Sequence, residues 1–153
     1  MWPAPIARFA RLGRGFREMT VPHYFPIEPP VDIKASASDL RELHWKDGGL
    51  IADFVIPEDE THDLRVQFAQ AEIVRVLDEM PLSTESEETP KMGLAPDHFA
   101  YRVEGALFWK SQSEAFKAAL PNALHYRFIT GSTCIDVVSV AGPILAVVPR
   151  ESR

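Results

Sequence analysis

The sequence predicts one α+β domain, in which an antiparallel meander sheet of about six or seven strands carries one main helix packed on one face. Short segments with an apolar residue at every second position recur between residues 50 and 138, and turn signals separate them. Residues 111–120, by contrast, combine a helical spacing of apolar residues with a capping signal. Because a helix of roughly ten residues is too short to be stable alone, we expect it to lie against the sheet.

The composition limits the class of protein. The 153 residues are 46% hydrophobic and 25% charged, which is typical of one soluble globular domain. No apolar run approaches the roughly 20 residues that a membrane span needs, and residues 1–20 lack the apolar core of a secretory signal. The single cysteine, Cys134, excludes an internal disulfide bond. These observations predict a cytoplasmic protein with no membrane association.

Charge is distributed unevenly along the chain. Residues 1–20 carry four arginines and one glutamate, whereas the whole chain has a net charge of −6, so the acidic excess lies entirely in the remainder. An acidic body repels nucleic acid, and we therefore expect no nucleic-acid partner. It would suit a basic protein partner, although acidity also serves solubility.

The first 20 residues are predicted to form a basic, mobile arm in front of a single domain at 21–153. Apolar residues recur there at helical spacing between the arginines, as in an amphipathic surface helix, but two prolines and two glycines weaken such a helix. Alternatively, Met19 is the true start of the protein.

The first half of the domain is predicted to be mostly extended. Residues 22–30 contain four prolines and suit an extended strap. Residues 39–45 fit either a helical turn or a strand, and the "KDGG" sequence that follows is a strong turn signal. The predicted strands of this half are 50–56, 64–68 and 72–80, with a polar connection at 57–63.

A long exposed loop is predicted at 81–97, because this segment has three prolines, four acidic residues and little apolar material. Its glutamates Glu85, Glu87 and Glu88 are candidate contacts for a basic partner.

The second half begins with a predicted strand at 98–109, in which Gly105 marks a bulge or a close approach of backbones. Ser111 and Glu114 then form an S-x-x-E capping box, which predicts the start of the main helix.

A hairpin is predicted around "HYRFITGSTCID", residues 125–136, with Gly131-Ser132 as a two-residue type II′ turn. This turn would place Phe128 opposite Ile135 and Arg127 opposite Asp136, which is a favourable cross-strand pair. A shift by one residue would mix apolar and polar side chains on both faces, so the pattern itself supports the register.

The same stretch contains the only cysteine, near a histidine and an aspartate. In the predicted hairpin His125 lies about 13 Å from Cys134, at roughly 3.4 Å per residue along the strand, so it cannot activate the thiol. Cys134 is therefore expected to be a small core residue.

Other candidate sites follow from clusters of polar residues. Acidic residues near His62 and His98 would be able to hold a divalent cation, but their spacing fits no known metal loop, and no metal or cofactor is expected. Four further charged residues are candidate binding residues on one polar, solvated face of the sheet: Arg102, Glu104, Arg127 and Asp136.

The order of a turn-rich meander, then "FWKSQSEAF", then "HYRFITGSTCIDVVS" and "GP" resembles that of small uncharacterised bacterial proteins. Some of these belong to families of unknown function or to the immunity-type proteins of toxin systems. The resemblance covers residues 40–145 and implies a small, acidic, non-catalytic protein.

Together these features predict a binding or inhibitory protein that recognises another macromolecule and is not an enzyme. The alternative is a small-ligand-binding protein or an enzyme that uses a pocket between helix and sheet. The sequence leaves the oligomeric state open.

Overall fold

The computed structural model describes residues 21–85 and 89–151. The predicted arm at 1–20, together with Glu87 and Glu88, lies outside the described residues. The described strands number nine: β1 (His23–Pro26), β2 (Leu40–Lys46), β3 (Gly49–Ile56), β4 (Asp59–Phe68), β5 (Ile73–Asp78), β6 (Ala100–Glu104), β7 (Leu124–Phe128), β8 (Thr133–Ser139) and β9 (Ile144–Pro149). The described helices are α1 (Glu79–Thr84), α2 (Leu107–Lys110) and α3 (Glu114–Ala119), with a 3₁₀ turn at Ala35–Ala37.

The strands form two antiparallel sheets. One has the order β1-β6-β7-β8-β5 and the other the order β2-β3-β4-β9. The α+β class is confirmed, but the prediction of one sheet with six or seven strands and one main helix is wrong in detail. Alternation along a strand identifies the residues that share a face, but it does not identify the sheet in which the strand pairs.

The two sheets pack face to face through one apolar core. Phe54 and Phe68 of the four-stranded sheet contact Phe128 of the other sheet, with ring centroids 6.1 and 6.2 Å apart. Phe54 also packs edge-on against Phe99 at 4.8 Å. All four phenylalanines are at most 1% exposed, and aromatic contacts of this kind add to the free energy of burial.

The short helices lie on the other face of the five-stranded sheet. Phe108 of α2 packs with Ala123 and with Val138 of β8, and Phe116 of α3 joins the same cluster. Both faces of this sheet are therefore covered, at least in part, whereas a simple two-layer arrangement would leave one face in water.

The hairpin register is confirmed. Arg127 lies opposite Asp136 and Phe128 opposite Ile135 in the β7–β8 ladder. The predicted type II′ turn is wrong, because Gly131 lacks the positive φ that this turn requires. Residues 129–132 form a longer connection instead, in which the Gly131 N–H donates to the carbonyl of Ser38.

The "KDGG" turn is confirmed between β2 and β3, and the ambiguous segment before it is the strand β2. Asp47 and Gly48 have φ values of 52° and 86°. Two consecutive positive φ values define a type I′ turn, whose twist matches that of the flanking strands.

Three predicted boundaries are corrected. The predicted polar connection at 57–63 is mostly strand, because β4 begins at Asp59. The strand predicted at 98–109 ends at Glu104, since Gly105 takes a φ of 79° and α2 follows. The cap of α3 is Ser113 and not Ser111, for the Ser113 hydroxyl accepts the Phe116 N–H at 3.0 Å.

The predicted loop at 81–97 is only partly a loop. Its first residues belong to α1, which buries Leu82. The later part is fixed to the sheet, because the Met92 carbonyl accepts the Tyr24 N–H, and the Tyr101 hydroxyl bonds both the N–H and the carbonyl of Ala95. These bonds hold the segment over the outer face of the five-stranded sheet.

Candidate functional site

A row of charged side chains crosses the outer face of the five-stranded sheet. Arg127 of β7 lies directly opposite Asp136 of β8, which lies directly opposite Arg75 of β5. His125 is two residues before Arg127 on the same strand and therefore shares its face. Short helices cover this face, so it is not a solvated surface of the sheet. His125, Arg127 and Asp136 are only 2%, 5% and 0% exposed.

Asp136 is the centre of this row, which with Glu85 and Tyr24 we call the buried charge cluster. Its Oδ1 accepts hydrogen bonds from His125 Nε2 at 2.6 Å and from Arg127 Nε at 2.7 Å. Its Oδ2 accepts two more from Nε and Nη2 of Arg75, at 3.0 and 2.8 Å. A carboxylate has about four acceptor positions, so all of those of Asp136 are occupied.

Glu85 completes the cluster from the end of α1. Its carboxylate accepts two hydrogen bonds from Arg75, at 2.6 and 3.0 Å. The guanidinium of Arg75 also lies over the ring of Phe108, 4.4 Å from its centroid. The expectation that Glu85 is freely exposed is wrong, because its side chain is only 21% exposed and is paired within the fold.

The protonation states follow from burial and from these partners. Burial lowers the pKa of His125, and the neighbouring charges of Arg127 and Arg75 lower it further, although Asp136 opposes the shift. Burial would raise the pKa of Asp136, but the hydrogen bond from His125 and the charge of Arg127 outweigh it, and the net shift is downward. His125 is therefore neutral and donates through Nε2 to an ionised Asp136, which leaves Nδ1 as a bare acceptor.

The cluster resembles the His–Asp part of a catalytic triad, but it does not provide the third group. Within the described residues His125 Nδ1 has no hydrogen-bond partner. The Cys134 thiol bonds instead with Thr130, whose N–H nitrogen lies 3.3 Å from Sγ. Burial raises the pKa of Cys134, which keeps it as a thiol. The prediction that His125 does not activate Cys134 agrees with these contacts.

One side of the cluster opens onto a cavity. Arg127 donates through Nη1 to the hydroxyl of Tyr24 at 2.7 Å, but its Nη2 is buried without a hydrogen-bond partner in the described part of the chain. The carboxylate of Glu85 lies 3.8 Å from Nη2, which is an ion-pair distance but too long for a hydrogen bond. Arg127 lines a cavity of about 250 Å³ between α1, residues 91–94 and the sheet, with the following other lining residues: Tyr24, Glu79, Leu82, Ser83, Lys91, Leu94 and Ile129.

A second, more open cavity of about 440 Å³ adjoins the first. The two cavities share Glu79, Leu94 and Ile129 in their walls. The second continues toward Asp97 and the connection at 129–132. They therefore form one groove along this edge of the sheet, which we call the α1 groove.

The structure separates the four residues that were predicted to share one polar face. Tyr101 lies opposite Arg127, whereas Arg102 lies opposite Tyr126, so Arg102 is on the other face of the sheet from Arg127. Arg102 pairs with Glu104 at 2.5 Å, and their side chains are 29% and 58% exposed. The expectation of one solvated face is therefore wrong: one pair is at the surface and the other is buried.

Sequence reasoning missed two members of the cluster, Arg75 and Tyr24. A signal for Arg75 was present, since it is the only basic residue in the apolar strand β5. A strand with one cation among apolar residues indicates a buried partner of opposite charge. Its partner Asp136 is 61 residues away, however, and strand pairing at that separation is not visible in a local pattern.

The histidines considered as metal ligands have other contacts. His98 Nε2 lies 2.9 Å from the Ile27 carbonyl oxygen. Asp59 accepts bonds from the backbone N–H groups of Thr61 and His62, which is the usual role of an aspartate in a turn. Over residues 21–85 and 89–151, no three histidine, cysteine or acidic side chains are grouped so as to hold a metal ion. In the same residues, no helix has the length and apolar character to cross a membrane.

Comparison with known proteins gives no match. No family model matches the chain, and the comparisons with curated proteins and with solved structures found no match either. The resemblance to immunity-type bacterial proteins stays a prediction, and the functional conclusion depends on the geometry of the buried charge cluster and the α1 groove.

Proposed function

We propose that this protein binds a small, uncharged, mostly apolar molecule in the α1 groove through a hydrogen-bond acceptor that faces Arg127. The observation that carries the proposal is Arg127, which lines the cavity and whose Nη2 is buried without a hydrogen-bond partner among the described residues. A buried donor that lacks a partner costs about 1–3 kcal/mol, and an acceptor atom of a bound molecule would recover this free energy.

The walls of the cavity favour an apolar body on that molecule. Leu82, Leu94 and Ile129 supply apolar surface, and the hydroxyls of Tyr24 and Ser83 supply polar contacts. This combination of apolar walls and a few convergent polar groups is the usual composition of a ligand pocket. The volume of about 250 Å³ corresponds to roughly eight water molecules at about 30 Å³ each, so a fragment-sized molecule fits.

The charges favour an uncharged acceptor over an anion. The two arginines of the cluster are balanced by Glu85 and Asp136, and the lining residues Glu79 and Lys91 carry opposite charges. An anion next to Nη2 would also meet Glu85, whose carboxylate is 3.8 Å from that nitrogen. A carbonyl, amide or ether oxygen avoids this repulsion while it accepts the same hydrogen bond.

The proposal is tested by screening uncharged amides and ketones of fragment size by ligand-observed NMR, with the matching carboxylates as a second set. We expect hits in the first set.

Ser83→Phe should abolish their binding, because Ser83 is exposed and lines the cavity. Thr84→Phe should not, because Thr84 is exposed but outside the lining. Arg127→Lys keeps the charge and removes Nη2, and it should weaken binding about tenfold, for the loss of one charged hydrogen bond. Hits that ignore both Ser83→Phe and Arg127→Lys would contradict the proposal.

A second candidate function is recognition of a macromolecule, with a basic protein as the partner predicted from the acidic body. The observation that favours it is a set of exposed apolar side chains in the groove or adjacent to its lining residues in sequence. Leu94, which lines the groove, is 47% exposed, and Met80 and Met92 are 67% and 53% exposed. Methionine-rich surfaces adapt well to protein partners.

A screen without any small-molecule hit, together with capture of a protein whose binding is lost in Leu94→Asp but kept in Leu107→Asp, would favour this function. Leu107 is equally exposed at 47% but lies on α2, outside the lining of the groove.

A further inference from the structure

The outer edge of β9 has no pairing partner in the described residues. The strand pairs with β4 on one side and is the last strand of its sheet. Its sequence between Pro143 and Pro149 is Ile-Leu-Ala-Val-Val, without a charged residue. Ile144 and Val147 are 66% and 41% exposed. A regular, apolar and open edge of this kind is a ready template for pairing with another strand.

The other three sheet edges are protected. β1 has only four residues, and its Tyr24 N–H already donates to the Met92 carbonyl. β2 contains a bulge near Leu40 and carries several charged side chains. β5 carries Arg75 and Asp78 and runs directly into α1. Short length, bulges, charges, prolines and an adjoining helix are the features by which proteins block edge pairing. β9 has no bulge, charge or adjoining helix, and its two prolines lie at the ends of the strand and not within it.

The direction of the backbone groups in β9 can be worked out from the ladder. The Arg150 N–H donates to the Thr61 carbonyl of β4, and in an antiparallel pair such bonds occur at every second residue. The N–H groups of Ile144, Ala146 and Val148 therefore also point toward β4. Those of Leu145 and Val147 point away from it, and both prolines, which lack an N–H, occupy positions that point away as well.

We propose that this edge pairs with β9 of a second copy of the chain, in an antiparallel and two-fold symmetric contact centred on Ala146. In this register Leu145 and Val147 exchange hydrogen bonds with Val147 and Leu145 of the second copy, which satisfies every outward N–H group of the strand. Ile144 lies opposite Val148 of the second copy, so each new cross-strand pair is apolar. The prolines at both ends coincide with the ends of the new ladder and leave no donor unpaired.

A second copy fits better than an unrelated strand because the strand is complementary to itself. Antiparallel pairing of identical strands creates a closed two-fold contact, which is the commonest symmetry of soluble oligomers. The alanine occupies the central position, where the α-carbons of the two copies approach to about 4.5 Å and a small side chain is favoured. The two four-stranded sheets then become one continuous sheet.

The test measures the mass of the full chain by light scattering over a range of micromolar concentrations. We expect a dimer, and we expect Val147→Lys to weaken it about tenfold or more, since a charge at an edge blocks pairing and each 1.4 kcal/mol is a factor of ten. Val76→Lys is the matched control, because Val76 is 49% exposed on the edge strand of the other sheet. Circular dichroism should show that both variants stay folded.

A cross-linking variant tests the register. Ala146→Cys should form a disulfide between copies under mild oxidation, because its α-carbons lie within the range that a disulfide bridges. Gln67→Cys, exposed on β4 of the same sheet, should not, and the buried Cys134 should not interfere. A chain that is monomeric throughout, a dimer that resists Val147→Lys, or a dimer in which Ala146→Cys forms no cross-link would overturn the proposal. Monomers that dimerise only after deletion of residues 1–20 would also overturn it, since the arm would then be the occupant.

Discussion

Asp136 and Arg75 are 61 residues apart in the chain, yet two nitrogens of the arginine donate to one carboxylate oxygen of the aspartate, at 3.0 and 2.8 Å. Asp136 also binds His125 and Arg127, so one fully buried carboxylate joins strands β5, β7 and β8. Paired charges in an interior are stable only when their hydrogen bonds are satisfied, which Asp136 achieves with four donors.

Replacing Asp136 with asparagine should strongly destabilise the fold. The change leaves Arg127, which is 5% exposed, and Arg75 without their shared counter-charge. Removal of one partner from a buried ion pair costs about 3–5 kcal/mol. Urea unfolding measures this loss. Glu104→Gln is the matched control, because it breaks a surface pair and should cost at most about 1 kcal/mol. Similar losses in the two variants would show that the cluster adds nothing beyond a surface pair.

The unfolding free energy should depend on pH through His125. Burial lowers the pKa of His125 in the folded protein, whereas the unfolded chain protonates this residue below about pH 6.5. The unfolded state therefore binds more protons as pH falls below that value, and stability decreases toward the folded pKa by up to about 1.4 kcal/mol per pH unit.

This dependence is checked with His125→Gln, whose amide can still donate to Asp136 but does not titrate. Its unfolding free energy should change less between about pH 7 and pH 5 than that of the wild type. The control is His44→Gln, since the His44 side chain is 67% exposed. A wild-type slope that persists in His125→Gln would place the titrating group elsewhere.

Cys134 should be unreactive in the native state. Its side chain is fully buried, its pKa is raised by burial, and its Sγ bonds to Thr130. Iodoacetamide should therefore modify it only after unfolding in urea, as mass spectrometry can detect. Cys134→Ser should leave ligand binding intact and reduce stability by about 1–2 kcal/mol, because a hydroxyl is costlier to bury than a thiol. Rapid labelling of the folded protein would restore the interpretation of Cys134 as a reactive residue.

The start of α3 provides a local test of capping. Ser113→Ala should cost about 1 kcal/mol, because the Ser113 hydroxyl accepts the Phe116 N–H at the N-terminus of the helix. Ser111→Ala should cost less, since the Ser111 hydroxyl donates to the Phe108 carbonyl at the end of α2 and caps no helix N-terminus. Thermal unfolding of the two variants compares them directly, and a larger loss in Ser111→Ala would favour the capping box predicted from the sequence.

The sequence by itself determined the local features of this protein. The register that pairs Arg127 with Asp136 follows from alternation along two adjacent strands, and the Asp47-Gly48 turn follows from residues that tolerate positive φ. Both the register and the turn depend on contacts between residues within about ten positions of each other. At that separation the pattern of side chains is compatible with only one local structure. The predicted N-cap of α3, Ser111, is two residues before the observed one, Ser113. Both are serines, which are favoured at the N-cap, so the local preference does not distinguish them.

Only the tertiary structure decided what surrounds those features. Alternation places Arg127 and Asp136 on one face of a sheet, but it does not show whether water or another layer covers that face. Here the short helices and residues 91–97 cover it, so a pair that would be worth little at a surface becomes part of a buried cluster with Arg75 and Glu85. The same packing gives Glu85 a structural role and creates the groove beside Arg127. These outcomes depend on contacts between segments that are distant in the sequence. Whether such segments cover a face or leave it to water is decided by their packing, which a local pattern of residues does not show.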